Sequence, residues 1–216
     1  MTADRILSAV YLAATVAAGL AVHEFAHAFV ATRLGDPTPR QSGRLTLDLR
    51  PHVDPFGTLL LPGILLFPVL FGRLVFPVFA YAKPMPLNPW TLRRRDRDAT
   101  LIALAGPVVN TILAFGFGGL LRLVAGTGQV FLFLRAGLIA NVTLAVMNLI
   151  PIPGLDGSRI VARFLSPRAR EVYSGLDQYC ALFILVVVFI FSGPVVAFLQ
   201  AIGNGICSLA AGSPCF

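Results

Sequence analysis

Charged side chains are scarce in this chain. Asp, Glu, Lys and Arg make up 12% of its 216 residues, where a soluble domain carries roughly 25%. So little charge cannot coat a water-facing surface around a chain that is 56% hydrophobic, which excludes an ordinary soluble enzyme and indicates an integral membrane protein. Acidic groups are scarcer than basic ones, 10 against 17, and the net charge of +7 would suit a nucleic-acid surface. The basic residues fall instead in short clusters between apolar runs, the pattern that sets membrane orientation, so the sequence indicates no nucleic-acid partner. Cysteine is sparse too: Cys180, Cys207 and Cys215 show no C-x-x-C spacing and make poor metal ligands. Cys207 and Cys215 lie beyond the last apolar run, where they either bridge outside the cell or, the simpler reading, serve as small apolar residues of a membrane-associated tail. No internal repeat or low-complexity linker interrupts the chain, and residues 1–216 read as a single integral-membrane domain.

Histidine is scarce as well, and two of the three fall together in Ala21-Val22-His23-Glu24-Phe25-Ala26-His27-Ala28. Residues four apart on a helix lie about 40° apart around the axis and roughly 6 Å along it, so His23 and His27 can face one ion with Glu24 beside them. In this H-E-x-x-H arrangement two neutral imidazoles suit zinc, while the carboxylate is left free to take a proton from water at the metal. Two histidines do not finish a zinc site, which usually takes three protein ligands and keeps a fourth position open.

The expected architecture is all-α and polytopic, with about four transmembrane helices near 6–33, 100–124, 129–150 and 180–202. The first run carries the motif, so it is expected to be a retained span and not a removable leader. If Arg33 marks the water boundary, His27 lies roughly 9 Å beneath it and His23 about 15 Å. The alternating run Arg44-Leu45-Thr46-Leu47-Asp48-Leu49 predicts a short strand or hairpin near the site, which could pair with an unwound substrate, and an ordinary loop fits it equally. His52 reads as a lone loop histidine, with a direct site role, gating included, as the less favoured alternative. The apolar segment 56–82 is broken by Pro62, Gly63, Pro68, Gly72, Arg73 and Pro77, and basic residues flank it on both sides. By the positive-inside rule it should enter and leave on the cytoplasmic side as a re-entrant hairpin, with a single tilted span as the alternative. Asn141-Val-Thr matches a glycosylation acceptor but lies mid-span.

The third run ends in Asn148-Leu149-Ile150-Pro151-Ile152-Pro153-Gly154-Leu155-Asp156-Gly157, where prolines and glycines stop the helix and leave Asp156 on irregular backbone at the inner end. A carboxylate there is ordinarily a turn residue, yet its depth matches the histidine pair, which makes it the favoured third ligand.

These residues, with Gly-Arg-Leu-Thr-Leu at 43–47, Pro-His-Val-Asp-Pro-Phe-Gly at 51–57, Ala-Lys-Pro-Met-Pro-Leu-Asn at 82–88 and Ala-Gly-Pro-Val-Val-Asn at 105–110, make the chain closely resemble the site-2 protease family of zinc-dependent intramembrane metalloproteases. It is similar to the compact bacterial branch, without an inserted PDZ or CBS domain. The resemblance implies one zinc per chain held by His23, His27 and Asp156, Glu24 as base, and Asn148 positioning or polarising the scissile carbonyl. It further implies hydrolysis of transmembrane protein substrates within the bilayer of a bacterial cell membrane, near the cytoplasmic side. The alternative is a metal-ion or proton transporter built on the same intramembrane His and Asp groups.

Overall fold

The computed structural model describes residues 3–71, 77–124, 126 and 128–215, the side chains of residues 3 and 4 excepted. The parts of the expected breaks that fall on Gly72 and Arg73 lie outside the described residues. In chain order the helices are α1 (Ala3–Arg33), α2 (Thr38–Gln41), α3 (Leu61–Leu70), α4 (Arg95–Leu121), α5 (Gln129–Leu149), α6 (Asp156–Ala162), α7 (Pro167–Gly175), α8 (Cys180–Phe189) and α9 (Ser192–Ala211). Five stretches are long and apolar enough to cross a membrane: Arg5–Arg33, Arg95–Leu121, Gln129–Leu149, Pro167–Phe189 and Ser192–Ala211. The protein is therefore all-α and multi-pass.

The fifth stretch arises because the run expected over 180–202 is not one helix. Pro194 has no N–H to offer the carbonyl of Ile190 and its ring crowds that position, so α8 ends at Phe189 and α9 restarts at Ser192 and continues to Ala211.

Helices α1, α4 and α5 pack on one another, and α9 lies against α4 and α5. Nearly every side chain from Leu134 to Asn148 of α5 is buried, as expected of a helix that is apolar all round. On α4, Val108, Ile112 and Phe115 are exposed at a spacing that forms one stripe, a surface suited to lipid. Without hydrophobic drive between helices in lipid, close contact depends on small residues. Gly118 is such a contact: a Cβ there would lie 2.6 Å from the Ala210 Cβ on α9. At this same end Cys207 and Cys215 are joined by a disulfide, and Arg122 donates to the Leu209 carbonyl at 2.6 Å. The reading of the two cysteines as separate apolar residues is thus replaced by a bridge, whose Cα atoms are 5.8 Å apart.

The expected strand over 44–49 does not form, and no strand occurs among the described residues. Side chains close local turns there instead: Thr46 Oγ1 accepts from the Asp48 N–H at 3.1 Å and Asp48 Oδ1 from the Arg50 N–H at 3.0 Å. Such local bonds compete with a sheet ladder, and Leu47 is left exposed.

The broken apolar segment opens with a π-helical turn, Pro55–Leu60, capped by Asp54, which accepts from the backbone N–H groups of Phe56 and Gly57 at 3.0 and 2.7 Å. Helix α3 follows, ten residues long, or about 15 Å at 1.5 Å per residue, half of a hydrocarbon core. The two ends of the segment meet: the Tyr81 N–H donates to the Gly57 carbonyl at 3.1 Å, and the Thr58 hydroxyl to the Tyr81 carbonyl at 2.9 Å. From residue 77 the chain runs without helix towards Met85, and Arg44 donates to the carbonyls of Lys83 and Pro84. Asp36, just past α1, ties this loop to the first span by accepting from the Thr38 and Asn88 N–H groups. Burial alone would raise its pKa, but these hydrogen bonds outweigh burial and hold it below the usual carboxylate value.

Candidate metal centre

His23 and His27 stand one turn apart on α1, both almost wholly buried, and Asp156 begins α6 after the Pro/Gly break that ends α5. The break brings residues 133 and 129 positions apart in sequence into contact: His23 Nε2 and His27 Nε2 lie 3.0 and 3.1 Å from Asp156 Oδ2. The two Nε2 atoms are 3.0 Å from each other. Gly157 makes the turn possible, because a Cβ there would collide with the carbonyls of Leu149 and Ile150.

The other ring nitrogens decide what these three atoms are. His27 Nδ1 lies 2.6 Å from the Ile102 carbonyl oxygen, which only accepts, so Nδ1 carries the proton. His23 Nδ1 lies 2.5 Å from Asn110 Oδ1. The amide nitrogen of Asn110 donates to the Gly19 carbonyl at 3.2 Å and to Asn141 Oδ1 at 2.9 Å, and Asn141 donates in turn to the Gly137 carbonyl at 2.8 Å. This relay fixes the Asn110 oxygen toward His23, so His23 Nδ1 also donates. Both Nε2 atoms therefore present lone pairs to each other and to a carboxylate oxygen. Three acceptors held within about 3 Å repel unless a cation lies among them.

Zinc fits this set. Tetrahedral zinc with bonds of about 2.0–2.1 Å separates its ligand atoms by about 3.4 Å, so the triangle needs to open by only a few tenths of an ångström. His23, His27 and Asp156 form the one group of three or more His, Cys, Asp or Glu among the described residues whose ligand atoms lie within 4.8 Å of one another. Gly106 on α4 leaves room for both rings, since a Cβ there would collide with His23 Cε1 and His27 Nε2. The same bare backbone lets His27 reach the Ile102 carbonyl one turn earlier.

A cavity of about 30 Å³, room for a water or so, opens beside these atoms. It is lined by Glu24 and Asn148, by the run Tyr81–Met85, and by Arg159. Asn148 is buried and donates one amide N–H to the Leu144 carbonyl at 2.9 Å. All five site residues expected from the sequence thus border one place. Sequence reasoning gave no role to Asn110, Asn141, Gly106 or the Ile102 carbonyl. The asparagines did leave a signal, because polar groups inside membrane helices need partners.

Comparison with known proteins gives the same direction. The sequence model described as Peptidase family M50 matches residues 123–192. YwhC of Bacillus subtilis is 34% identical over 185 residues, 82% of this chain and 78% of that protein. Rip2 of Mycobacterium tuberculosis is 35% identical over 169 residues, and Rip2 of Mycolicibacterium smegmatis 33% over 175, each alignment covering 77% of this chain and 62% of the relative. All three carry zinc-metalloprotease names, which does not favour the transporter alternative. No solved structure matches the chain. An H-E-x-x-H helix facing a distant carboxylate, in a bundle of apolar helices with these relatives, places the chain in peptidase family M50, the membrane-embedded zinc metalloproteases.

Proposed function

We propose that this protein hydrolyses peptide bonds in or near the transmembrane segments of membrane-protein substrates, with His23, His27 and Asp156 as the zinc ligands, Glu24 as the general base and Asn148 as a donor to the scissile carbonyl. The observation that carries this reading is the triangle of lone-pair atoms with a carboxylate beside it on one small cavity. Zinc, when bound, supplies a Lewis acid that acidifies a neighbouring water and polarises a carbonyl. Glu24, adjacent in sequence to His23 and lining the cavity, takes a proton from water as it adds to the carbonyl carbon and returns it to the leaving nitrogen. Asn148 has one N–H committed to Leu144 and a second to donate to the carbonyl oxygen as negative charge develops there. The cavity is too small for a helix, and a helical substrate hides its carbonyls in internal hydrogen bonds, so substrates enter locally unwound. Helix-weakening residues near the cleaved bond therefore raise the rate.

Cleavage of a panel of single-span membrane peptides by purified protein tests this reading. The parent cleaves and Glu24→Gln does not, with a loss of at least about 10²-fold. Parent-like cleavage by Glu24→Gln would remove Glu24 as the base.

The site end of the bundle belongs on the cytoplasmic side of a bacterial cell membrane, because Arg40, Arg44 and Arg50 before the broken segment and Lys83 and Arg93–Arg97 after it are the main basic clusters near α1 and α4. Cysteines introduced at Ser42 and Asn88, after replacement of the native ones, are expected to react with an impermeant thiol reagent in inverted vesicles and not in intact cells. Reaction of either one in intact cells contradicts the assignment.

A further inference from the structure

His52 has no role in the reading above, yet it is fully buried, with 0% of its surface exposed. Its backbone is held on both sides: its N–H donates to the Leu49 carbonyl at 2.9 Å, and its carbonyl accepts from the Lys83 N–H at 2.9 Å. Its ring Nε2 lies 3.3 Å from the Thr46 carbonyl, which only accepts. Nδ1 has no hydrogen-bond partner among the described residues, and it lies 3.8 Å from Glu24 Oε2. A buried ring nitrogen left unpaired is costly, and one aimed at the carboxylate beside a metal triad needs a reason. The Glu24 carboxylate oxygen is the acceptor within reach of this unpartnered nitrogen. Holding a loop in place would require only the backbone bonds and the Thr46 contact.

We propose that His52 is a positioning residue for Glu24, holding one oxygen of its carboxylate through Nδ1 so that the other faces the cavity beside His23, His27 and Asp156. The distance of 3.8 Å is just beyond hydrogen-bond range, and a side-chain shift of about 1 Å turns it into a hydrogen bond. Lys83, whose N–H holds the His52 carbonyl, lies in the run that lines the same cavity, so a backbone hydrogen bond ties the loop carrying His52 to the wall of the site. The proposal rests on the assignment of Glu24 as base.

The two ring nitrogens can be separated by substitution. Asn places its amide where Nδ1 stands and keeps a donor for Glu24 while losing Thr46. Gln places its amide near Nε2 and keeps Thr46 while losing Glu24. Purified zinc-loaded full-length His52→Asn, His52→Gln and His52→Ala proteins are to be compared with the parent for kcat and KM on a cleavable single-span peptide, for zinc content, and for thermal midpoint. His52→Gln and His52→Ala are expected to lower kcat by about 10–100-fold with little change in KM, and His52→Asn to recover most of the loss. Zinc content stays parental in His52→Asn and His52→Gln. Parental kcat in His52→Gln, or His52→Asn no better than His52→Gln, overturns the proposal. Loss of zinc or of the fold in His52→Asn also overturns it, by making the residue structural. Glu24→Gln run alongside separates the two assignments. Should it cleave like the parent, base and positioning residue both fall. Should it be inactive while the His52 series is flat, only the role of His52 falls.

Discussion

The two ends of helix α4 are held to their neighbours by different means. At the end nearer its N-terminus, Ile102, Gly106 and Asn110 meet His23 and His27 of α1 through a close approach and hydrogen bonds between buried polar groups. Three turns on, Gly118 meets Ala210 of α9 and Arg122 meets the Leu209 carbonyl, next to a disulfide. The first end is arranged so that three lone-pair atoms converge, and a small displacement there changes the chemistry. The second end only keeps a peripheral helix in place, and a small displacement there changes stability. The difference follows from packing: α5 is buried nearly all round, while the 20-residue α9 buries Leu199, Gly203, Cys207 and Ala210.

Two glycines on one helix allow the contrast to be broken or sharpened. Each lies where a Cβ collides, Gly106 with the two imidazoles and Gly118 with Ala210. Gly106→Ala is expected to lower zinc affinity and peptide cleavage by well over about 10-fold, because ligand geometry tolerates errors of only about 0.5 Å. Gly118→Ala is expected to keep full zinc and to cost about 1–3 kcal/mol of stability through overpacking. Zinc content and thermal midpoint of the two variants check both. Equal zinc loss in the two would erase the distinction between the ends.

A smaller effect is expected from the disulfide. Replacing Cys207 and Cys215 by Ala reopens a loop with a sequence separation of 8 and should cost about 2–3 kcal/mol, with zinc content and cleavage rate at 25 °C unchanged. Alkylation without reduction, followed by mass mapping, shows whether the bridge is present in the parent. Loss of zinc on removing it would tie the disulfide end of the bundle to the site.

Much of the site was legible because its signals are local. His23, Glu24 and His27 follow from helical spacing, and Asp156 from two prolines and two glycines at the end of an apolar run. Asn148 was named through family resemblance, and its place on the cavity comes from the rotation of α5. The Asn110–Asn141 relay was not legible, since it depends on how two helices are rotated against each other across 31 residues. His52 looked like a loop histidine because the partners that fix it, Glu24 and the segment at Lys83, lie about 30 residues away on either side along the chain. Period-two alternation misled at 44–49, where Thr46 and Asp48 satisfy the backbone locally. The break after Phe189 has its signal in Pro194, which lies within the run expected to be a single span over 180–202.

The most direct test of the central claim is the zinc content of the purified protein beside that of the His23→Ala, His27→Ala double variant. Removing two of three ligands leaves a single carboxylate, which cannot hold the ion in a buried site. The account predicts one zinc per chain in the parent and essentially none in the double variant. Full zinc occupancy in that variant would contradict it.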